Sequence, residues 1–311
     1  MQRQLFIKKT DQGEFGKFPA ERTAEELTQY GIVNIDKPKG PTSHQTSDYV
    51  KKILNIDKAG HSGTLDPAVT GVQPIALGRA TRIAQFLLTA PKEYVCVMHL
   101  HKEIEEEKIR DAFEKLSGKI RQLPPIKSAV KRVERTREIY EVEILEIEGK
   151  DVLFRIRCQA GTYIRKYVHD LGQILEIGAH MAELRRTQAG PFTEQDDLVT
   201  LNDLQDAYYF HKEENNSKFL LHCLQPIENA LKHIPKCWVF DTTIGSVSHG
   251  RDVAIPGISK LENFRKGETV AVMSLKGELV AIGEAVMSGV EINTQQKGIA
   301  VKVQKVFMEP M

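Results

Sequence analysis

The 311-residue chain is short of several things, and each shortage closes off a class of function. Its four cysteines, Cys96, Cys158, Cys223 and Cys237, lie far apart and form no CxxC pair. Neither a disulfide framework nor a zinc knuckle is indicated, and they read as buried, reduced thiols. No apolar run approaches the ~20 residues of a membrane helix, and the N-terminus MQRQLFIKKTDQGEFGK lacks the apolar stretch of a signal peptide, so an intracellular, soluble protein is expected. A net charge of only +1 argues against binding nucleic acid by bulk charge, so any basic surface must be local. Neither GxxxxGK[ST] nor GxGxxG follows a strand pattern, which removes the nucleotide-binding folds. GHSG lacks a glycine at Thr64 to complete a serine nucleophile elbow. His101-Lys102-Glu103 carries the HxE half of a zinc deaminase site without its PCxxC, and with His99 it decorates one face of a strand.

What is present is an ordinary globular composition, 41% hydrophobic and 27% charged, in a chain long enough for about two domains. Leu5, Phe6 and Ile7 could pin the N-terminal segment to another surface. From Gly31, GIVNIDKPKGPTSHQTSDYVKKIL predicts a β-branched strand, a Pro-Gly turn holding Lys37 and Lys39, and a helix capped at Thr42 or Ser43. ATRIAQFLLTA predicts a short amphipathic helix, KEYVCVMHLH a strand, and EEEKIRDAFEKLSGKI a helix stopped at Gly118. The double proline of QLPPIKSAV opens a basic loop with Lys127, Lys131, Arg132, Arg135 and Arg137. Two strands joined at Gly149 then run into GTYIRKYVHDLGQIL, a passage from strand to helix. HCLQPIENALKHIPK predicts one more helix, and beyond a boundary near Ile234 the chain turns β-like, a small barrel or sandwich.

GHSGTLDPAVTG places two ionisable side chains, His61 and Asp66, among glycines and a proline. An aspartate before proline fits a helix N-cap with Pro at the first helical position. It also fits a lone carboxylate suited to nucleophilic or electrostatic work, since no second carboxylate stands nearby for acid/base pairing. Burial would protonate such a group unless a cation held it ionised. Arg165 in GTYIR is a candidate for that role and also reads as a surface helix arginine. Tyr94 and Tyr163 read equally as core or strand aromatics.

GHSGTLDPAVTGVQPIALGRATR, DKPKGPTS, KEYVCVMHL, AGTYIRKYVHDLG and AHMAELRRTQAGPF resemble the motifs of the TruB-type pseudouridine synthases. The tail from WVFDTTIGSVSHGRDVAIPGI to KGIAVKVQKVFM resembles the PUA RNA-binding domain. Within that family the likeness is to the archaeal, dyskerin-like branch, the catalytic subunits of H/ACA guide ribonucleoproteins.

The resemblance implies an α+β fold, a mixed or antiparallel sheet with flanking helices plus a small β-rich PUA domain. It implies an N-terminal extension over 1–22, packed on the PUA domain, a catalytic domain over 23–233 and the PUA domain over 234–311. It implies Asp66 as catalytic aspartate, Tyr94 beside the target base and Arg165 paired with the aspartate. His61, Tyr163 and Leu184 would contact the substrate nucleotide, and Lys37, Lys39, Lys127, Lys131 and Arg132 the RNA backbone. No metal and no cofactor is implied. The implied partners are H/ACA guide RNA, substrate rRNA or tRNA, Nop10, Gar1 and L7Ae, in the cytoplasm of an archaeal cell. A non-catalytic RNA scaffold and a PUA-bearing transglycosylase are the competing readings. The first has no reason to retain Asp66, Tyr94 and Arg165, and the second lacks its zinc cysteines.

Overall fold

The computed structural model describes residues 3–123 and 131–309. The chain divides into two compact units, Thr28–Gln225 and a second formed by Met1–Leu27 with Pro226–Met311.

The larger unit is built on one mixed sheet in two halves. In the first half Gly31–Lys37 pairs antiparallel with Thr70–Leu77 and parallel with Leu198–Val199. In the second, Ala179–Ala189, Lys92–Leu100, Asp151–Cys158, Arg135–Glu148 and Gly118–Gln122 succeed one another antiparallel. The halves join where Thr70 and Gly71 pair in parallel with Arg185 and Arg186. KEYVCVMHL alternates because one face of its strand is covered: Tyr94, Cys96, Met98 and Leu100 point into a core shared with Val152, Phe154 and Ile156. Two amphipathic helices, Glu106–Lys115 and Ile164–Ile174, contribute Ile109, Phe113, Tyr167, Val168 and Leu171 to that core.

Several local expectations change. ATRIAQFLLTA divides between the end of a 3-10 turn, Gly78–Ile83, and a five-residue α-helix, Ala84–Leu88. HCLQPIENALKHIPK is not one helix: Lys218–Cys223 is helical, Leu224–Pro226 extended and Ile227–Leu231 a 3-10 turn. Pro226 accounts for the break, since it restricts the residue before it to extended backbone and cannot donate to a continuing helix. Arg135 and Arg137 belong to the strand Arg135–Glu148 rather than a loop, and Arg137 donates through Nε to the Gly161 carbonyl at 3.1 Å.

The second unit has a seven-stranded sheet in the order Leu5–Ile7, Ile258–Glu262, Lys236–Val239, Thr269–Met273, Leu279–Ala285, Ile299–Val306 and Val253–Ala254. Its core is aliphatic, with Val239, Ile244, Val270, Val280 and Val301 fully buried. Phe6 lies opposite Leu261 and packs against this core. All four cysteines of the chain are free and buried, and burial pushes the thiols of Cys96, Cys158 and Cys237 up to about 12.

Candidate active site

The GHSGTLDPAVTG loop enters the sheet at the splice between its two halves. Gly71 has φ near 103°, and a Cβ there would stand 2.2 Å from the Arg186 carbonyl oxygen, so the close backbone approach demands glycine. Leu65 and Val69 anchor the loop in the core beside Tyr94, which leaves Asp66 between them exposed. Asp66 caps no helix. The Val69 N–H donates to the Asp66 carbonyl at 3.0 Å, closing a turn over Pro67 and Ala68, and the strand resumes at Thr70 before a helix could form.

The DKPKGPTS motif holds this turn in place. Thr42 caps its helix through the Gln45 N–H, and Gln45 returns the bond to the Thr42 N–H. That cap delivers Ser43, whose Oγ accepts from the Leu65 N–H at 2.7 Å and donates to the Leu65 carbonyl at 3.2 Å. Gly40 N–H donates to the Pro67 carbonyl at 2.8 Å. Lys37, expected on RNA phosphates, is fully buried instead. Its ammonium donates to the carbonyls of Pro38, Pro67 and Val69 at 3.0, 3.3 and 2.9 Å, which ties it to the loop backbone and removes it from phosphate contact. Burial, and then repulsion from Arg186, pull the Lys37 pKa down against the attraction of Asp66.

Arg165 occupies the first turn of the helix Ile164–Ile174, and its Nη2 reaches Asp66 Oδ2 at 2.5 Å. Both side chains are more than half exposed, so the pair is open to solvent and to an incoming substrate. The helix start is fixed from behind. Buried Gln122 accepts from the Tyr163 N–H at 3.0 Å and donates to the Tyr163 carbonyl at 3.2 Å.

Tyr94 lies across the strand pair from Arg186, a residue only 1% exposed. Arg186 Nε donates to the Val72 carbonyl at 2.7 Å. Burial pushes the Tyr94 phenol up, and the Arg186 charge beside its hydroxyl pulls in the opposite direction. Buried Lys92 donates to the carbonyls of Leu87 and Ala90 at 2.9 and 2.7 Å. Burial, then Arg186, bring its pKa down to about 7. Three cations, Lys37, Lys92 and Arg186, are therefore buried on backbone carbonyls along one seam.

Around this centre, half-buried His61 places Nε2 3.3 Å from Nδ1 of His44, and burial, His44 and Arg186 lower its pKa. Leu184 faces the same core cluster as Leu65 and Tyr94. Lys39, Lys131 and Arg132 are exposed, and Lys127 lies outside the described residues. His99 pairs with Asp151 at 2.7 Å and His101 with His180 at 3.2 Å, but among the described residues no group of side chains is arranged to hold a metal ion. Sequence reasoning named Ser43 only as a possible helix cap and missed Lys92, Gln122 and Arg186 as parts of the site. A hydroxyl one residue past the helix cap signals the first, and the second arginine of AELRR the last.

An isolated carboxylate paired with arginine, set over a buried tyrosine at the junction of a mixed sheet, suits chemistry on a ribose and its base. Comparison with known proteins gives this α+β unit and its β-rich companion their family. The TruB family pseudouridylate synthase N-terminal domain matches residues 51–164 and the tRNA pseudouridylate synthase B C-terminal domain residues 165–232. The PUA domain matches residues 235–307, and the DKCLD domain residues 2–47. A probable tRNA pseudouridine synthase B from Methanothermobacter thermautotrophicus is 53% identical over 302 residues, covering 97% of this chain and 93% of its own. Another from Pyrococcus furiosus is 52% identical, covering 95% of this chain and 87% of its own. Among solved structures, a Cbf5–Nop10–Gar1 complex matches with a TM-score of 0.94 at 50% identity, covering all of this chain and 95% of the matched one. An H/ACA ribonucleoprotein bound to a substrate RNA containing 2'-deoxyuridine matches with a TM-score of 0.92 at 48% identity, covering 100% and 96%. The chain belongs to the TruB family of pseudouridine synthases.

Proposed function

We propose that this pseudouridine synthase acts as the catalytic subunit of an H/ACA guide ribonucleoprotein, with Asp66 at the reacting ribose, Arg165 as its counter-ion and Tyr94 beside the base. The Arg165–Asp66 contact, held where the two half-sheets join, is the observation that carries the assignment. In the isomerisation the bond from uracil N1 to ribose C1' breaks with its electron pair staying on the base. A bond from C5 to C1' forms, and the proton on C5 leaves while N1 gains one. The ribose grows electron-poor as N1 departs, and an ionised Asp66 stabilises that charge. Arg165 holds the carboxylate aimed before RNA arrives.

The target nucleotide has to leave its stack to reach Asp66. His61, Tyr163 and Leu184 line its path, and exposed Lys39, Lys131 and Arg132 meet phosphates. Residues 23–233 form the catalytic domain, 234–311 the RNA-binding PUA domain, and 1–22 an extension that completes the PUA sheet. The likeness to chains solved with Nop10, with Gar1 and with H/ACA RNA supports the same partners here, and L7Ae is a further partner of the proposed complex. The protein works in the cytoplasm, where its rRNA and tRNA substrates are.

The names of the curated relatives favour a second activity, guide-free modification of tRNA. Reconstitution with Nop10, Gar1, L7Ae and one guide RNA separates the two. Pseudouridine at the guide-matched uridine, lost with a mismatched guide, supports the first reading. Product on tRNA without guide supports the second, and no product with either refutes both.

A further inference from the structure

We propose that Arg186 is a positioning residue that sets the Tyr94 hydroxyl and the exit of the Asp66 loop in one fixed relation, so that base and ribose are met together. The inference rests on the functional reading above and adds to it a residue outside the Asp66, Tyr94 and Arg165 trio.

Arg186 sits where three strands meet. Its backbone pairs with Gly71 on one side and Tyr94 on the other, so it bridges the strand leaving the Asp66 loop and the strand carrying Tyr94. The side chain repeats the bridge. Nε donates to the Val72 carbonyl at 2.7 Å, and the guanidinium lies beside the Tyr94 hydroxyl. The contact is tight on both levels, since Gly71 admits no Cβ against the Arg186 carbonyl and the guanidinium is almost wholly buried. The planar fork makes Arg rather than Lys suited to the task, because Nε holds the Val72 carbonyl while the rest of the guanidinium, its buried Nη2 without a partner among the described residues, stays beside Tyr94.

Holding Tyr94 matters because a reacting group displaced by about 1 Å can lose about 10²-fold in rate. A phenol held beside a fixed positive charge also keeps one orientation. The neighbouring buried cations, Lys37 and Lys92, do not duplicate this role, since their ammonium groups are committed to loop and turn carbonyls.

The test uses the reconstituted guide complex under single-turnover conditions. Arg186→Gln is expected to slow isomerisation by about 10²-fold with guide and substrate RNA binding unchanged, and Arg186→Lys to recover only part of that loss. In a Tyr94→Phe background the same Arg186→Gln change is expected to cost clearly less than in wild type, because the hydroxyl half of the bridge is already gone and only the tie to Val72 remains to be lost. A full loss in both backgrounds, or a wild-type rate in Arg186→Gln, overturns the proposal. Asp66→Asn run alongside keeps the two claims apart: its inactivity leaves the functional reading standing whatever Arg186 does. Should the glutamine variant fail to fold, wild-type protein carrying labelled tyrosine rings gives an independent readout. Slow flipping of the Tyr94 ring, with its two edges resolved, is the expected result, and rapid averaging overturns the proposal.

Discussion

Replacing Arg22 by methionine tests the energetics of the second unit. Arg22 meets Glu228 through two parallel hydrogen bonds, Nη1 to Oε2 at 2.8 Å and Nη2 to Oε1 at 2.9 Å, with side chains only 6% and 9% exposed. Glu228 Oε1 also accepts from the Leu279 N–H at 3.0 Å, and Glu278 stands 3.6 Å from Arg22. Removing one member of such a pair strands a buried charge and costs about 3–5 kcal/mol. For a unit of roughly a hundred residues, 1 kcal/mol is worth about 4 °C, so Arg22→Met should lower the melting of that unit by about 12–20 °C. Removing both charges while keeping an acceptor for Leu279, in Arg22→Met/Glu228→Gln, should restore most of the loss, since the stranded carboxylate is the larger part of the penalty. Calorimetry reads both values. A single variant within 1 kcal/mol of the parent, or a double variant no better than the single, would refute the reasoning.

Two further outcomes follow from the catalytic unit. Because the Arg165–Asp66 pair is more than half exposed, Arg165→Gln should change stability by less than about 1 kcal/mol while slowing single-turnover isomerisation by about 10²-fold or more. Thermal melting and a product assay on one preparation check the split, and a large fall in melting temperature would recast Arg165 as structural. Lys92 has its folded pKa lowered from 10.5 to about 7, so between those values the unfolded chain holds a proton that the folded chain has released. Stability from this group must therefore rise with pH across that window, by about 2 kcal/mol from pH 7 to 9, with the penalty at its full size below the folded value. Denaturant unfolding of wild type and Lys92→Met at pH 7 and 9 isolates the contribution, and identical pH slopes would contradict it.

The strands and the two principal helices were legible because their periodicity is strong: alternation in KEYVCVMHL and helical spacing in IRKYVHDLGQI. The Asp66–Arg165 pairing, 99 positions apart in the chain, was legible only through the order of motifs, since nothing local in either segment identifies its partner. Lys37 misled for a physical reason. A lysine beside proline and glycine reads as solvated, because lysine is almost never fully buried without partners, and its partners are carbonyls of a loop some 30 positions away. The role of Arg186 was not legible on the same ground, as its neighbours Gly71, Val72 and Tyr94 are assembled by the sheet and the second arginine of AELRR marks only its position. The helix-cap reading of Asp66 failed because the buried Val69 and the strand beginning at Thr70 stop the turn after one cycle.

The most direct measurement of the central claim is single-turnover pseudouridine formation by Asp66→Asn in the reconstituted guide complex, with RNA affinity measured on the same preparation. The account predicts no detectable product and unchanged binding, because the substitution keeps the size and turn geometry of the side chain and removes only its charge. Product formed at the wild-type rate would contradict the assignment of Asp66.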